Sequence, residues 1–211
     1  MRKHPLSLLL TAALVCALMF NSCDDEKEPV ETLLSGFMTA HTDSEGYIST
    51  IDDDFGTHYR VSEKKDKLSP DTTLRIVASA ALDDSYNVRI LQMVQALSYI
   101  APPDSIIPDT MRVKDPIEIE SLYIGGGYLN IHVGIKVGSE DARHTLFYTR
   151  LDSPGKLKFT FYHNSYDDRG TYTKYAYVSI PLWGYLPSKN DTVFLSCKGY
   201  QEDYDYKLIY K

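Results

Sequence analysis

Cysteine is scarce in this sequence, which contains only Cys16, Cys23 and Cys197. Three thiols this far apart cannot build the multi-disulfide framework that stabilises many small secreted domains. The fold therefore has to be held together by its hydrophobic core. Cys197 shares the apolar face of an alternating segment with Val193 and Leu195, so we expect a buried hydrophobic residue and not a catalytic thiol.

Motifs for catalysis and for phosphate or metal binding are also lacking. The sequence has no Gly-x-Ser-x-Gly elbow, no His-Glu-x-x-His pair and no close metal-ligand spacing of histidines. No helix follows the glycine run at residues 125–127, and the aspartates at 52–54 fit a hairpin turn better than a calcium loop. We therefore predict a non-enzyme without cofactor or metal. A hydrolase built from two scattered carboxylates is the lowest-ranked alternative.

The one long uncharged run lies at the N-terminus. Arg2, Lys3 and His4 precede about 15 residues without a charge, at positions 6–20. This pattern is typical of a secretory signal, and the run is short for a membrane span of roughly 20 residues. We predict that residues 1–22 are a signal peptide.

The end of this run resembles the lipobox of bacterial lipoproteins. It reads Phe20-Asn21-Ser22-Cys23, with Phe20 and Asn21 standing where a branched aliphatic and a small residue are usual. The resemblance implies that Cys23 is acylated and becomes the N-terminus and lipid anchor of the mature chain. The alternative is a signal peptide cut elsewhere, with Cys23 an ordinary thiol.

Acidic residues follow the cysteine directly. Asp24, Asp25 and Glu26 resemble the export signals that send lipoproteins of the Bacteroidetes to the outer face of the outer membrane. Residues 23–33 have the composition of an acidic, flexible tether. The expected location is the cell surface, with the periplasmic face of the same membrane as the alternative.

Basic residues are fewer than acidic residues in this sequence. Without residues 1–22, the chain keeps 20 Lys and Arg against 29 Asp and Glu, a formal charge of −9. Such a surface repels nucleic acid, and no basic cluster offsets it. Nucleic acid is therefore excluded as a partner.

Sustained helical periodicity is absent, and short alternating segments predict an all-β protein. Residues 34–100 are predicted to form a small OB-like barrel, from strands at 35–41, 47–51, 57–61, 73–82 and 88–97. Residues 101–115 are predicted to be an extended, proline-rich linker. Residues 116–211 are predicted to form a seven-stranded, immunoglobulin-like β-sandwich, from strands at 117–124, 128–137, 144–150, 157–162, 175–180, 192–197 and 206–210.

The segment at 128–137 (YLNIHVGIKV) alternates strictly. Its odd-numbered positions, from Leu129 to Val137, are apolar and are expected to face a core. Its even-numbered positions, among them Asn130 and His132, are expected to face water.

Several stretches together resemble the NigD-like lipoproteins. They are YIGGGYLNIHVGIKVGSEDARHTLFY, LKFTFYHNSYDD and the closing YKLIYK, with DDDFG and TLRIVASAALDDSYNVRIL in the less distinctive front half. The resemblance implies an N-terminal OB-like domain, a C-terminal β-sandwich and a link to bacteriocin loci, with an immunity-type role. It implies no catalytic residues.

Tyrosine is abundant, with 17 in the chain and 13 of them after residue 100. Tyr175 and Tyr177 are expected to point outward from a strand, and Tyr166 and Tyr172 to lie in or beside turns. With Trp183 they are a candidate ligand-binding surface for a glycan or a protein. The alternative is cross-strand pairing that only stabilises the sheet.

Four triplets of Asp, then Ser or Thr, then a third residue that is apolar in three of them and Thr73 in the other, resemble the O-glycosylation sites of secreted Bacteroidetes proteins. Their hydroxyl residues are Thr72, Ser105, Thr110 and Thr192. Two lie in the linker, where a glycan would shield the backbone from proteases.

These features predict a lipid-anchored, non-catalytic binding protein of the outer membrane. The favoured partner is a protein toxin that it would neutralise. The alternative is a glycan bound by the outward tyrosines.

Overall fold

The computed structural model describes residues 31–64, 67–83, 85–151, 153, 156–168, 170–185 and 187–211. Thr32–Lys211 forms one compact unit. Within the described ranges, no helix is long and apolar enough to cross a membrane. The predicted anchor Cys23 and the acidic residues Asp24, Asp25 and Glu26 lie outside the described residues.

Five strands form a closed barrel, which confirms the predicted OB-like architecture. They are β1 (Thr32–Thr42), β2 (Ile48–Asp53), β3 (His58–Val61), β4 (Thr73–Leu82) and β5 (Asn87–Gln95). Their order around the barrel is β1-β2-β3-β5-β4. A long antiparallel pairing joins β1 to β4, and a short parallel pairing of β3 with β5 completes the closure. In the closed barrel every strand has a hydrogen-bonded neighbour on each side.

Small side chains fill much of the barrel interior. Ala40, Ala78 and Ala80 are at most 2% exposed, and Ile51 and Ile76 lie fully buried among them. A barrel of five strands has a narrow interior, so alternating alanine with larger residues lets opposite walls meet without strain.

Seven further strands form a sandwich of two sheets, as predicted. They are β6 (Glu118–Gly125), β7 (Tyr128–Val137), β8 (Thr145–Leu151), β9 (Leu157–Asn164), β10 (Tyr172–Pro181), β11 (Thr192–Lys198) and β12 (Asp203–Ile209). One sheet has the order β10-β7-β6 and the other the order β12-β11-β9-β8.

The sandwich core lies between these sheets. The odd-numbered positions of β7 are at most 5% exposed, as their alternation predicts, and they pack with Tyr148 and Phe159 from the other sheet. Cys197 is buried in the same core. Burial raises the pKa of its thiol to about 12, so the thiol stays protonated and unreactive at neutral pH.

The prediction that the even-numbered positions of β7 face water is wrong in the middle of the strand. Asn130 is fully buried and His132 is half-buried. This face of the sheet packs against the barrel, where the Phe37 ring of β1 lies edge-on to Tyr177, the cross-strand partner of His132. Alternation shows which residues share a face, but it does not show what covers that face.

The proline-rich segment does not behave as a free spacer. The backbone N–H of Arg150 on β8 donates to the Pro102 carbonyl at 2.8 Å. The Asp104 carboxylate accepts hydrogen bonds from the hydroxyls of Thr149 and Tyr162, both at 2.7 Å. These bonds fix the segment along strands β8 and β9.

Candidate binding cleft at the barrel–sandwich junction

The aspartates at residues 52–54 form the predicted β2–β3 hairpin, but they make three different sets of contacts. Asp52 lies between two histidine side chains on the barrel surface. The Asp53 carboxylate accepts the backbone N–H groups that close the turn. Asp54 points toward the sandwich, and its side chain is only 7% exposed.

Arg75 on β4 pairs with Asp54 and is buried more deeply, with 1% of its side chain exposed. Its Nη2 donates to the Asp54 carboxylate. Its Nη1 donates to Thr39 Oγ1 and its Nε to Ser179 Oγ, both at 3.0 Å. The guanidinium also lies 4.3 Å from the centre of the Tyr128 ring. A buried guanidinium without a counter-ion is strongly unfavourable, so the position of Asp54 is tightly constrained.

Asn130 and Ser179 extend this network into the sandwich. Ser179 Oγ donates to Asn130 Oδ1 at 2.6 Å, and Asn130 Nδ2 donates to Asp54 Oδ2 at 2.7 Å. The Tyr123 hydroxyl donates to the same carboxylate at 3.1 Å. Burial and the charge of Asp54 raise the pKa of Tyr123 to about 12, so its hydroxyl remains a donor. The network joins barrel to sandwich across the junction.

The glycine run at residues 125–127 makes room for Asp54. Gly126 and Gly127 have φ values of +59° and +81°, a backbone conformation that favours glycine. A Cβ on Gly126 would lie 2.5 Å from Asp54 Oδ1, and one on Gly125 would lie 2.9 Å from Asp54 Oδ2. The Gly126 N–H also donates to the Asp54 carbonyl at 3.1 Å. The β6–β7 turn is therefore shaped around one carboxylate of the barrel.

A cleft of about 470 Å³ opens beside this network. Arg75 and Tyr128 belong to its lining, as does Trp183, the single tryptophan of the chain. Trp183 is 56% exposed, and Ile100, which also lines the cleft, is 47% exposed. Two large apolar side chains are thus open to solvent at one concave site.

The described lining of this cleft carries no net charge. Of the fourteen lining residues that the structure describes, only Arg75 is charged, and Asp54 neutralises it. The polar groups of the lining are mostly hydroxyls and an amide, including those of Thr72, Gln95 and Ser98. The cleft can therefore accept an uncharged polar ligand, but the lining residues that the structure describes supply no carboxylate or imidazole for acid–base chemistry.

The structure does not bring the five predicted surface aromatics together. Tyr175 and Tyr177 share one face of β10, where Tyr177 stacks on His132 at 4.6 Å between ring centres. Tyr172 lies on the opposite face of that strand, Tyr166 lies in the turn after β9, and Trp183 lies past the far end of β10 at the cleft. The Tyr177–His132 pair has the geometry of a packing contact that stabilises the sheet. A binding role for the set stays a prediction.

His144 and His163 form a hydrogen-bonded pair at the margin of the sandwich. Nδ1 of His144 lies 2.8 Å from Nε2 of His163, and Nε2 of His144 lies 3.0 Å from Asp168 Oδ2. His163 Nδ1 lies 3.2 Å from the Pro116 carbonyl, which can only accept. His163 Nδ1 therefore donates to this carbonyl, and His144 Nε2 donates to the Asp168 carboxylate. Burial lowers the pKa of His163, in keeping with a neutral ring.

None of these histidines belongs to a metal site among the residues described. No group of three or more His, Cys, Asp or Glu side chains there is arranged to hold a metal ion. His41 and His58 instead each contact the carboxylate of Asp52.

The four predicted glycosylation positions differ in accessibility. Ser105 and Thr110 are exposed, on the short 3₁₀ turns Asp104–Ile106 and Asp109–Met111. Thr72 and Thr192 are half-buried. Glycosylation stays a prediction at all four.

The barrel, the sandwich and the buried network between them define a two-module β protein. Residues 104–210 match the family model described as the NigD-like C-terminal β-sandwich domain. That match spans half of the chain, and the protein belongs to the NigD-like family. The resemblance seen in the sequence is thereby confirmed. No curated protein sequence matches the chain.

Solved structures share the fold of the whole described unit. A NigD-like immunity protein from Bacteroides caccae is 22% identical, with a TM-score of 0.70 over 87% of this chain and 99% of its own. A putative toxin-related protein from Parabacteroides distasonis is 20% identical, with a TM-score of 0.68 over 85% of this chain and 94% of its own. A putative lipoprotein from Bacteroides fragilis is 12% identical, with a TM-score of 0.62 over 85% and 98%. At these identities the likeness shows a common fold.

Proposed function

We propose that this protein is a lipid-anchored, surface-facing protein of the outer membrane that binds a protein toxin without catalysing a reaction. Membership of the NigD-like family supports an immunity-type role. Two structural neighbours carry names that point the same way, one as an immunity protein and one as toxin-related. The anchor is supported by the signal-like N-terminus and Cys23.

An exposed apolar groove on the barrel carries the proposal. Phe55, at the tip of the β2–β3 hairpin, is 96% exposed. It borders a groove of about 370 Å³ whose lining also includes Leu34, Phe37 and Tyr123. A water-facing aromatic side chain beside an apolar groove has the composition of a protein-binding hot spot.

The net negative charge of the protein favours a positively charged toxin as the partner. The mature chain has a formal charge of −9. Because such a surface attracts cations and speeds their encounter, a cationic toxin would associate faster at low salt than at high salt.

The test is protection of cells. A strain that lacks the gene is complemented with the wild type, Phe55→Ser or Cys23→Ser, and each culture is challenged with supernatants of toxin-producing sister strains. We expect the wild type to restore growth, and both variants to lose most protection at equal protein levels. Trypsin treatment of the supernatant should remove the killing if the toxin is a protein.

Val94→Ser is the matched control, because Val94 is an exposed apolar side chain of the barrel outside the groove. It should protect as well as the wild type. Full protection by Phe55→Ser would remove the groove from the proposal. Equal survival with and without the wild-type gene would overturn the immunity-type role itself.

A further inference from the structure

We propose that the cleft at the barrel–sandwich junction is a binding site for a short, neutral saccharide. The cleft shares no lining residue with the Phe55 groove. The inference therefore stands apart from toxin binding, and each can fail without the other.

Charge gives the first argument for the class of ligand. The mature chain carries 29 acidic residues. None of those that the structure describes lines this cleft. Arg75, the one base among the described lining residues, already has its charge compensated by Asp54. A cationic ligand would find no carboxylate and an anionic ligand no free base, so an uncharged ligand fits best.

Aromatic surface gives the second argument. Trp183 lines the cleft with more than half of its side chain exposed, and the ring of Tyr128 lies in the same lining. An indole face binds the apolar C–H face of a sugar ring, while the ring hydroxyls stay free to form hydrogen bonds at its edge. Indole and phenol rings suit this contact because each combines an apolar face with a polar group that can remain solvated.

Unused hydrogen-bonding groups give the third argument. Within the part of the chain that the structure describes, the side chains of Gln95 and Ser98 form no hydrogen bond, and both line the cleft. An amide and a hydroxyl can each donate and accept, which matches the hydroxyls of a sugar. A volume of about 470 Å³ lies within the common range of small-molecule sites, about 300–1,000 Å³.

The walls of the cleft are held in place before any ligand arrives. The Leu97 N–H donates to the Tyr177 carbonyl at 2.8 Å, and the Ser179 N–H donates to the Leu97 carbonyl at 2.9 Å. These bonds fix the segment that carries Gln95 and Ser98 against β10. A ligand therefore loses little affinity to ordering the protein.

The single tryptophan makes the test direct, because all tryptophan fluorescence of the chain comes from this cleft. The purified full-length protein is titrated to about ten millimolar with cellotriose, maltotriose and mannotriose, and with a uronic acid trisaccharide for charge. We expect at least one neutral sugar to shift the emission saturably, and the charged sugar to bind at least tenfold more weakly. Equal binding of the charged sugar would overturn the assignment.

Calorimetry then locates the site. Trp183→Ala and Gln95→Ala should each weaken binding of the neutral sugar at least tenfold, while Tyr86→Ala, which removes an exposed aromatic away from the cleft, should leave binding unchanged. Equal melting temperatures show that the variants are folded. The proposal fails if no neutral sugar binds or if only a neutral capped tripeptide binds. It also fails if Tyr175→Ala, at the alternative tyrosine surface, weakens binding while Trp183→Ala does not.

Discussion

At the scale of single residues, one carboxylate decides how the two modules join. Asp54 accepts hydrogen bonds from Arg75 of the barrel and from Asn130 and Tyr123 of the sandwich. It is nearly excluded from water, so solvent cannot replace these partners. Loss of this carboxylate leaves the buried positive charge of Arg75 without a counter-ion.

Asp54→Ala should therefore lower the free energy of unfolding by about 3–5 kcal/mol, the usual penalty for breaking a buried ion pair. Urea denaturation followed by circular dichroism measures it. Asp109→Ala is the control, since Asp109 forms an ion pair on the surface with 95% of its side chain exposed, and it should change stability little. Adding Arg75→Met to Asp54→Ala should recover much of the loss, because no unpaired charge then remains buried. A loss no larger than that of the control would contradict the role given to the network.

At the scale of elements, alternation was a reliable guide to the strands. Each of the twelve segments predicted to be a strand is one, and the apolar face of β7 lines the core. What alternation missed is long-range: Arg75 and Ser179 lie 104 positions apart in sequence, Asp54 and Asn130 lie 76 apart, and no local pattern links them. The only signal was indirect, a lone arginine inside the apolar strand TLRIVASAAL. The cleft could not be predicted from local sequence patterns either, because residues of both the barrel and the sandwich line it.

The β6–β7 turn offers a prediction at this scale. Gly126→Ala should destabilise the protein by more than the roughly 1–2 kcal/mol expected of a left-handed backbone alone, because the new Cβ would also displace Asp54. Gly56→Ala is the matched control, since Gly56 has a φ of +88° but nothing within 4 Å of an added Cβ. Chemical denaturation compares the two. Equal losses would mean that Asp54 can move aside without penalty.

At the scale of the whole molecule, the proposed attachment to the membrane rests on Cys23. Radioactive palmitate should label the wild-type protein, and Cys23→Ser should abolish both the label and recovery with the outer-membrane fraction. Asp24, Asp25 and Glu26 changed together to Ala should keep the label but reduce digestion by protease added to intact cells. A labelled Cys23→Ser protein would refute the anchor, and unchanged digestion of the triple variant would refute the export signal.

The buried thiol of Cys197 bears on the compartments in which the chain can fold. It is the only cysteine of the described residues and is buried in the sandwich core, so the cohesion of Thr32–Lys211 involves no sulfur–sulfur bond. Folding of this unit therefore requires neither an oxidant nor a disulfide isomerase. The same native state is accessible in a reducing cytosol and outside the cell, whatever the redox poise of either.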